Sequence, residues 1–68
     1  MITVRINGEL VDLPPGTTLS AVVEERSGSP GREGVAVAIN GEVVRRHEWN
    51  RPVRHGDELE IVRATQGG

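Results

Sequence analysis

Ile2-Thr3-Val4-Arg5-Ile6-Asn7-Gly8-Glu9-Leu10-Val11-Asp12-Leu13 is the stretch from which the rest of the fold can be worked out. Residues 2–6 alternate apolar and polar, the pattern of a strand with one buried face. Asn7-Gly8 then supplies the two residues that best tolerate the positive φ angles of a type I′ hairpin turn. A two-residue loop sets Ile6 opposite Glu9, Val4 opposite Val11 and Ile2 opposite Leu13. That register brings Ile2, Val4, Ile6, Val11 and Leu13 onto one face, an independent check on the turn.

Outward from this hairpin, Pro14-Pro15-Gly16 ends the second strand, because proline has no N–H for a ladder and glycine permits a sharp reversal. Thr18 is then placed to cap a helix whose apolar set is Leu19, Val22 and Val23 at i, i+3, i+4 spacing. Glu24, Glu25 and Arg26 fall toward solvent. Ser27-Gly28-Ser29-Pro30-Gly31-Arg32-Glu33-Gly34 stops the helix and predicts the longest flexible loop in the chain. Val35-Ala36-Val37-Ala38-Ile39 alternates again and leads through Asn40-Gly41 into Glu42-Val43-Val44. The same register argument pairs Val37 with Val44 and buries Val35, Val37 and Ile39.

The two hairpins read almost alike, Val4-Arg5-Ile6-Asn7-Gly8-Glu9-Leu10-Val11 against Val37-Ala38-Ile39-Asn40-Gly41-Glu42-Val43-Val44. Two copies are too few for a solenoid, so the likeness reads as one turn requirement met twice. Arg46 to Trp49 reads as a turn or single helical coil, and Pro52 bars a regular central strand there. His55-Gly56-Asp57 is a further turn before a final strand, Leu59 to Ala64.

Strand, strand, helix, strand, short strand, strand is an α+β order with one amphipathic helix to cover one sheet face. The expected architecture is a single helix on a four- to five-stranded mixed sheet, with the last strand parallel to the first. Residues 1–64 form the expected domain and 65–68 a flexible C-terminal tail.

Composition narrows the chemistry. The chain has 68 residues, 35% hydrophobic and 26% charged, with a net charge of −2. Folding at this length buries roughly 60% of the unfolded surface, so stability of about 3–5 kcal/mol is expected. The absence of cysteine excludes disulfides, thiolate metal sites and cysteine nucleophiles together. All eight basic residues are arginine, which removes Schiff-base chemistry and a P-loop lysine. An acidic balance and one aromatic residue, Trp49, argue against nucleic acid as a partner. No run approaches the ~20 apolar residues of a spanning helix, and no basic, hydrophobic leader opens the sequence, so the expected address is the cytoplasm.

Few side chains are equipped for catalysis. His47 and His55 fall short of the three or four ligands a metal site wants and read as turn histidines on the surface. Glu24, Glu25, Glu58 and Glu60 read as polar faces, since a carboxylate pair at work needs a cleft as well. No glycine-rich phosphate motif opens the helix. Trp49 reads as a half-buried cap on the core. The outer sheet face, with Thr3, Arg5, Ala36, Ala38, Val43, Val62 and Ala64, is mild enough to dock a protein. Gly67-Gly68 stands apart. Without side chains such a pair can thread a narrow tunnel and present a bare carboxylate, ionised at neutral pH with a reference pKa of about 3.3–3.7, to another enzyme.

In order along the chain, several segments together resemble the ubiquitin-like β-grasp sulfur carriers of the ThiS type. They are Ile6-Asn7-Gly8-Glu9, Gly16-Thr17-Thr18-Leu19, Val37 to Val44, Arg46-His47-Glu48-Trp49, Gly56-Asp57-Glu58-Leu59-Glu60-Ile61 and Gly67-Gly68. The resemblance implies a β-grasp fold and a co-substrate rather than an enzyme. A ThiF-like adenylating enzyme would use ATP and Mg²⁺ to activate the Gly68 carboxylate, with Gly67 giving access. A persulfide donor would then leave a thiocarboxylate, and thiazole synthase would take its sulfur for the thiamine thiazole ring. Ala36, Ala38, Val62, Ala64 and Gln66 would meet these partners. Carriers for molybdopterin, cysteine or tRNA thiolation share this terminal chemistry. The molybdopterin type usually carries prolines near its tail, and none lies between Arg54 and Gly68. A non-covalent β-grasp interaction module is the alternative outside that chemistry.

Overall fold

A computed structural model describes residues 1–27 and 34–63. Most of the expected loop after the helix, and the tail with Ala64, Gln66, Gly67 and Gly68, lie outside the described residues. Strand β1 (Ile2–Ile6) turns at Asn7-Gly8 into β2 (Glu9–Leu13), and helix α1 (Leu19–Ser27) follows. Strands β3 (Val35–Ile39) and β4 (Glu42–Val44) form the second hairpin. A single 3-10 turn (Arg46–Glu48) then leads toward β5 (Glu58–Arg63).

The sheet order is β2-β1-β5-β3-β4. The first hairpin has the expected register, Ile2 with Leu13, Val4 with Val11 and Ile6 with Glu9. Its turn has φ of 50° at Asn7 and 87° at Gly8, the left-handed pair that a type I′ turn requires. Val37 lies opposite Val44 in the second hairpin, and β5 runs parallel to β1 and antiparallel to β3. The parallel strand is therefore central. Chain order alone left this open, because a return to the middle of the sheet is a long-range pairing.

The helix starts where its cap predicts. The Thr18 hydroxyl accepts from the Ala21 N–H at 3.2 Å, while the Leu19 and Ser20 N–H groups donate to the Arg51 and Trp49 carbonyls. The orphan donors of the first turn are thus met by the segment that crosses beneath it. Leu19 and Val23 are fully buried and Val22 nearly so, while Glu24, Glu25 and Arg26 stay exposed. Leu19, Val22 and Val23 pack on Val4, Ile6, Val37, Ile39 and Leu59 from the inner sheet face. Val35, expected inside, is half-buried at the edge of this cluster. Among the described residues no helix is long and apolar enough to cross a membrane.

Two core members differ from the sequence reading. Trp49 is 3% exposed rather than half-buried, and its indole Nε1–H donates to the Val44 carbonyl at 3.1 Å. The Arg46 guanidinium sits over its ring at 5.9 Å from the centroid. Val53, which follows Pro52 in no periodic pattern, is also 3% exposed. Its N–H donates to the Thr17 carbonyl, and Pro52 bridges Thr18, so the irregular segment is pinned to the helix start. Tertiary bonding of this kind has no local sequence signature.

Removing the Trp49 ring is expected to cost about 3–5 kcal/mol, comparable with the whole stability of so small a domain. Trp49→Ala should therefore be largely unfolded in buffer by circular dichroism. Trp49→Phe keeps most of the volume but strips the Val44 carbonyl of its indole donor, and should lower stability in urea titrations by roughly 1–3 kcal/mol.

Candidate functional site: the outer sheet face and the strand that leads to the tail

One face of the sheet is covered by α1, and the other is open. On the open face Ala36 of β3 lies opposite Val62 of β5, and Ala38 lies between Glu60 of β5 and Val43 of β4. These residues line a shallow, almost wholly apolar depression of about 160 Å³. Val43 is 77% and Val62 60% exposed, which is unusual for valines in strands that are paired. The small alanines make the hollow and the valines make its rim. The expected docking residues Ala36, Ala38 and Val62 are thus brought together, and Val43 joins them. Ala64 and Gln66, assigned to the same surface, lie outside the described residues.

The other half of the open face differs in character. Arg5 and Leu10 are cross-strand partners there, and Thr3 Oγ1 donates to Asp12 Oδ1 at 2.7 Å. The β1–β2 half mixes Arg5 and the Thr3–Asp12 pair with an exposed Leu10, whereas the β3–β4–β5 half is apolar apart from Glu60. The apolar half adjoins the end of β5, from which the chain continues toward Gly67-Gly68.

Strand β5 pairs with β3 from Leu59 to Arg63 and with β1 only at Glu58 and Leu59, and asparagine side chains extend the hold on each edge. Beside β1, the Arg5 and Asn7 N–H groups donate to the Asp57 and Leu59 carbonyls, both at 2.9 Å. Beyond this point β1 turns away, and the Asn7 carboxamide continues the ladder in its place. Its Oδ1 accepts from the Ile61 N–H at 2.9 Å and its Nδ2 donates to the Ile61 carbonyl at 3.2 Å. Beside β3, the Asn40 N–H donates to the Glu58 carbonyl at 2.7 Å, and Asn40 Oδ1 accepts from the Glu58 N–H at 3.0 Å. Asn40 Nδ2 donates to Asp57 Oδ1, whose other oxygen takes the Arg54 N–H at 2.8 Å.

The likeness of the two hairpins therefore has a second cause. Each asparagine must adopt a left-handed φ and also fasten the central strand, and the sequence reading saw only the first. An Asn-Gly pair states the turn locally, whereas its bonds to β5, 54 residues away for Asn7 and 18 for Asn40, depend on topology.

The remaining candidates behave as surface groups. His47 is exposed, with Nε2 4.0 Å from Glu48 Oε2. His55 is exposed, and its Nδ1 accepts from the Thr3 N–H at 3.0 Å, which ties the last turn to β1 and leaves the ring proton on Nε2. Among the described residues no group of three His, Cys, Asp or Glu side chains is placed to hold a metal ion. Glu24 and Glu25 lie on the solvent side of α1, and Glu58 and Glu60 on β5 are exposed. A groove of about 410 Å³ between α1 and β2 is lined by Val11, Leu13, Val22, Glu25 and Arg26 among others. Arg26 pairs across it with Glu9 at 3.6 Å.

A single helix crossing a five-stranded mixed sheet with a parallel central pair makes this a ubiquitin-like β-grasp protein. The solved structure of a thiamine biosynthesis protein (ThiS) from Geobacter metallireducens has the same fold. The two align with a TM-score of 0.76 at 23% identity, covering 98% of this chain and 100% of that one. The sequence model of the ThiS family matches residues 4–68, and the chain belongs to that family. No curated protein matches the sequence significantly.

The two faces of the sheet should respond oppositely to charge. Val62→Glu, on the open face, is expected to change stability by no more than about 0.5 kcal/mol in urea titration. Val37→Glu, which aims a carboxylate into the core, should abolish the folded state, because burying an unpaired charge exceeds the few kcal/mol available.

Proposed function

We propose that this chain is a sulfur carrier protein of thiamine biosynthesis, a co-substrate rather than a catalyst, whose chemistry takes place on the Gly68 carboxylate. The observation that carries the reading is the ThiS family match over residues 4–68, running through Gly67-Gly68 in a chain without cysteine. With no thiol, and only the inert thioether of Met1, sulfur carried covalently in reactive form has the terminal carboxyl as its site.

A ThiF-like adenylating enzyme binds ATP and Mg²⁺, and this chain binds neither. A Gly68 carboxylate oxygen attacks the α-phosphorus, pyrophosphate leaves, and an acyl-adenylate forms. The terminal sulfur of a persulfide attacks the acyl carbon and AMP leaves. A thiol then cleaves the resulting sulfur–sulfur bond, leaving the Gly68 thiocarboxylate and a disulfide. Thiazole synthase accepts that sulfur. The cycle runs in the cytoplasm in this reading. In the reading, the apolar hollow of Ala36, Ala38, Val43 and Val62 docks the activating enzyme, and Ala64 to Gly67 carry Gly68 into its active site.

Incubating the protein with its adenylating enzyme, ATP, Mg²⁺ and a persulfide source should raise its intact mass by the difference between sulfur and oxygen. Deletion of Gly68, or Gly67→Val, should abolish that shift and leave the circular dichroism spectrum unchanged. Val62→Glu should weaken the complex with the adenylating enzyme roughly tenfold or more, as loss of a central apolar contact does. An unchanged mass, together with partner binding that survives removal of residues 65–68, would instead identify a non-covalent interaction module.

A further inference from the structure

The Asn7 carboxamide does more than the hairpin turn asks of it. A type I′ turn is satisfied at its first position by any residue that tolerates a left-handed φ, glycine included. Asn7 in addition gives both its amide groups to the main chain of Ile61. On the β1 side these are the bonds that hold β5 after the regular register ends at Ile6 with Leu59. Arg63, the last residue of β5, is two positions further on.

We propose that Asn7 is a positioning residue for sulfur loading: β3 holds one edge of β5 as far as Arg63, Asn7 closes the opposite edge at Ile61, and the two together steady the strand end from which the terminal segment departs toward Gly68. The inference rests on the proposed loading of Gly68. Residues 64–68 span at most about 17 Å when extended, so a small angular freedom at Ile61 becomes ångströms at Gly68. Misplacement of a reacting carboxylate by about 1 Å can cost a hundredfold in rate. A docked body with a loosened strand end would still bind its partner and would react more slowly.

The molecule supplies its own control. Asn40 has the same left-handed φ, 52° against 50°, and its side chain also makes two bonds in the β5 region, one to the Glu58 N–H and one to the Asp57 carboxylate. These hold the beginning of the strand, far along the chain from Gly68. A purely structural role predicts similar consequences for the two asparagines, and a positioning role does not.

The experiment compares Asn7→Gly, Asn40→Gly and Asn7→Asp in the full chain, each checked for folding by circular dichroism. Glycine keeps the turn conformation and deletes the clamp. In Asn7→Gly, amide exchange at Ile61 should quicken by about tenfold, as expected for losing bonds of this kind, while Leu59 stays protected. In single-turnover loading with the adenylating enzyme, the rate at saturating carrier should fall about tenfold or more, with KM little changed. Asn40→Gly should load like the parent protein even where its melting temperature falls as far. Asn7→Asp keeps the acceptor for the Ile61 N–H and loses the donor, so it should lie between.

Equal loading defects in the two glycine variants would overturn the proposal, as would quickened exchange at Ile61 with unaltered loading. Failure of the parent protein to load at all would instead remove the sulfur-carrier reading, and the exchange data would still report on the clamp.

Discussion

Strand β5 is the element on which the structure depends. It has a neighbour on each side, and Leu59 near its start is fully buried in the core with the α1 stripe. Its pairing with β1 joins residues more than 50 positions apart, and that with β3 joins the two hairpins into one sheet. Without β5 each hairpin would be a two-stranded unit, marginal in water by itself. The cooperative core forms only when the last strand is inserted between them. The same strand precedes the terminal glycines in the chain, so the element that completes the fold is also the one that leads to the proposed site at Gly68.

The two sheet faces divide the work. The inner face, the α1 stripe, Trp49 and Val53 make a core that must be nearly perfect, because a domain of this size has only a few kcal/mol of stability. The open face contributes little to that core and is therefore free to be shaped for contact. Alanines on β3 and valines on β4 and β5 give a shallow apolar hollow where polar side chains would have served solubility better. A carrier of this design needs no cleft of its own. In the proposed cycle the partner would provide the nucleotide site, and the carrier a recognisable surface and a side-chain-free end.

Much of this was legible in the residues because it depends on local rules. Alternation, Asn-Gly turns, prolines at strand ends and a threonine before an i, i+3, i+4 stripe each act over a few residues, and the registers and helix start derived from them agree with the structure. Trp49 and Val53 were misjudged or missed because an irregular segment has no period. Their burial comes from bonds to Val44, Thr17 and the start of α1, all distant in the chain or set by its path. The open-face hollow was partly visible, since Ala36, Ala38, Val43 and Val62 follow from alternation and hairpin register. That these four residues enclose one hollow on neighbouring strands needed the strand order.

What the amino-acid sequence determined by itself was the set of elements, the pairing within each hairpin, the face each residue presents and the absence of any thiol. Backbone sterics and side-chain periodicity decide these within a turn or a strand. What only the tertiary structure decided was the place of β5 and the second duty of Asn7 and Asn40. A carboxamide becomes a strand clamp only if a strand with open N–H and C=O groups lies beside it. Which strand that is depends on the packing of the whole chain, because it brings together groups that no local rule relates.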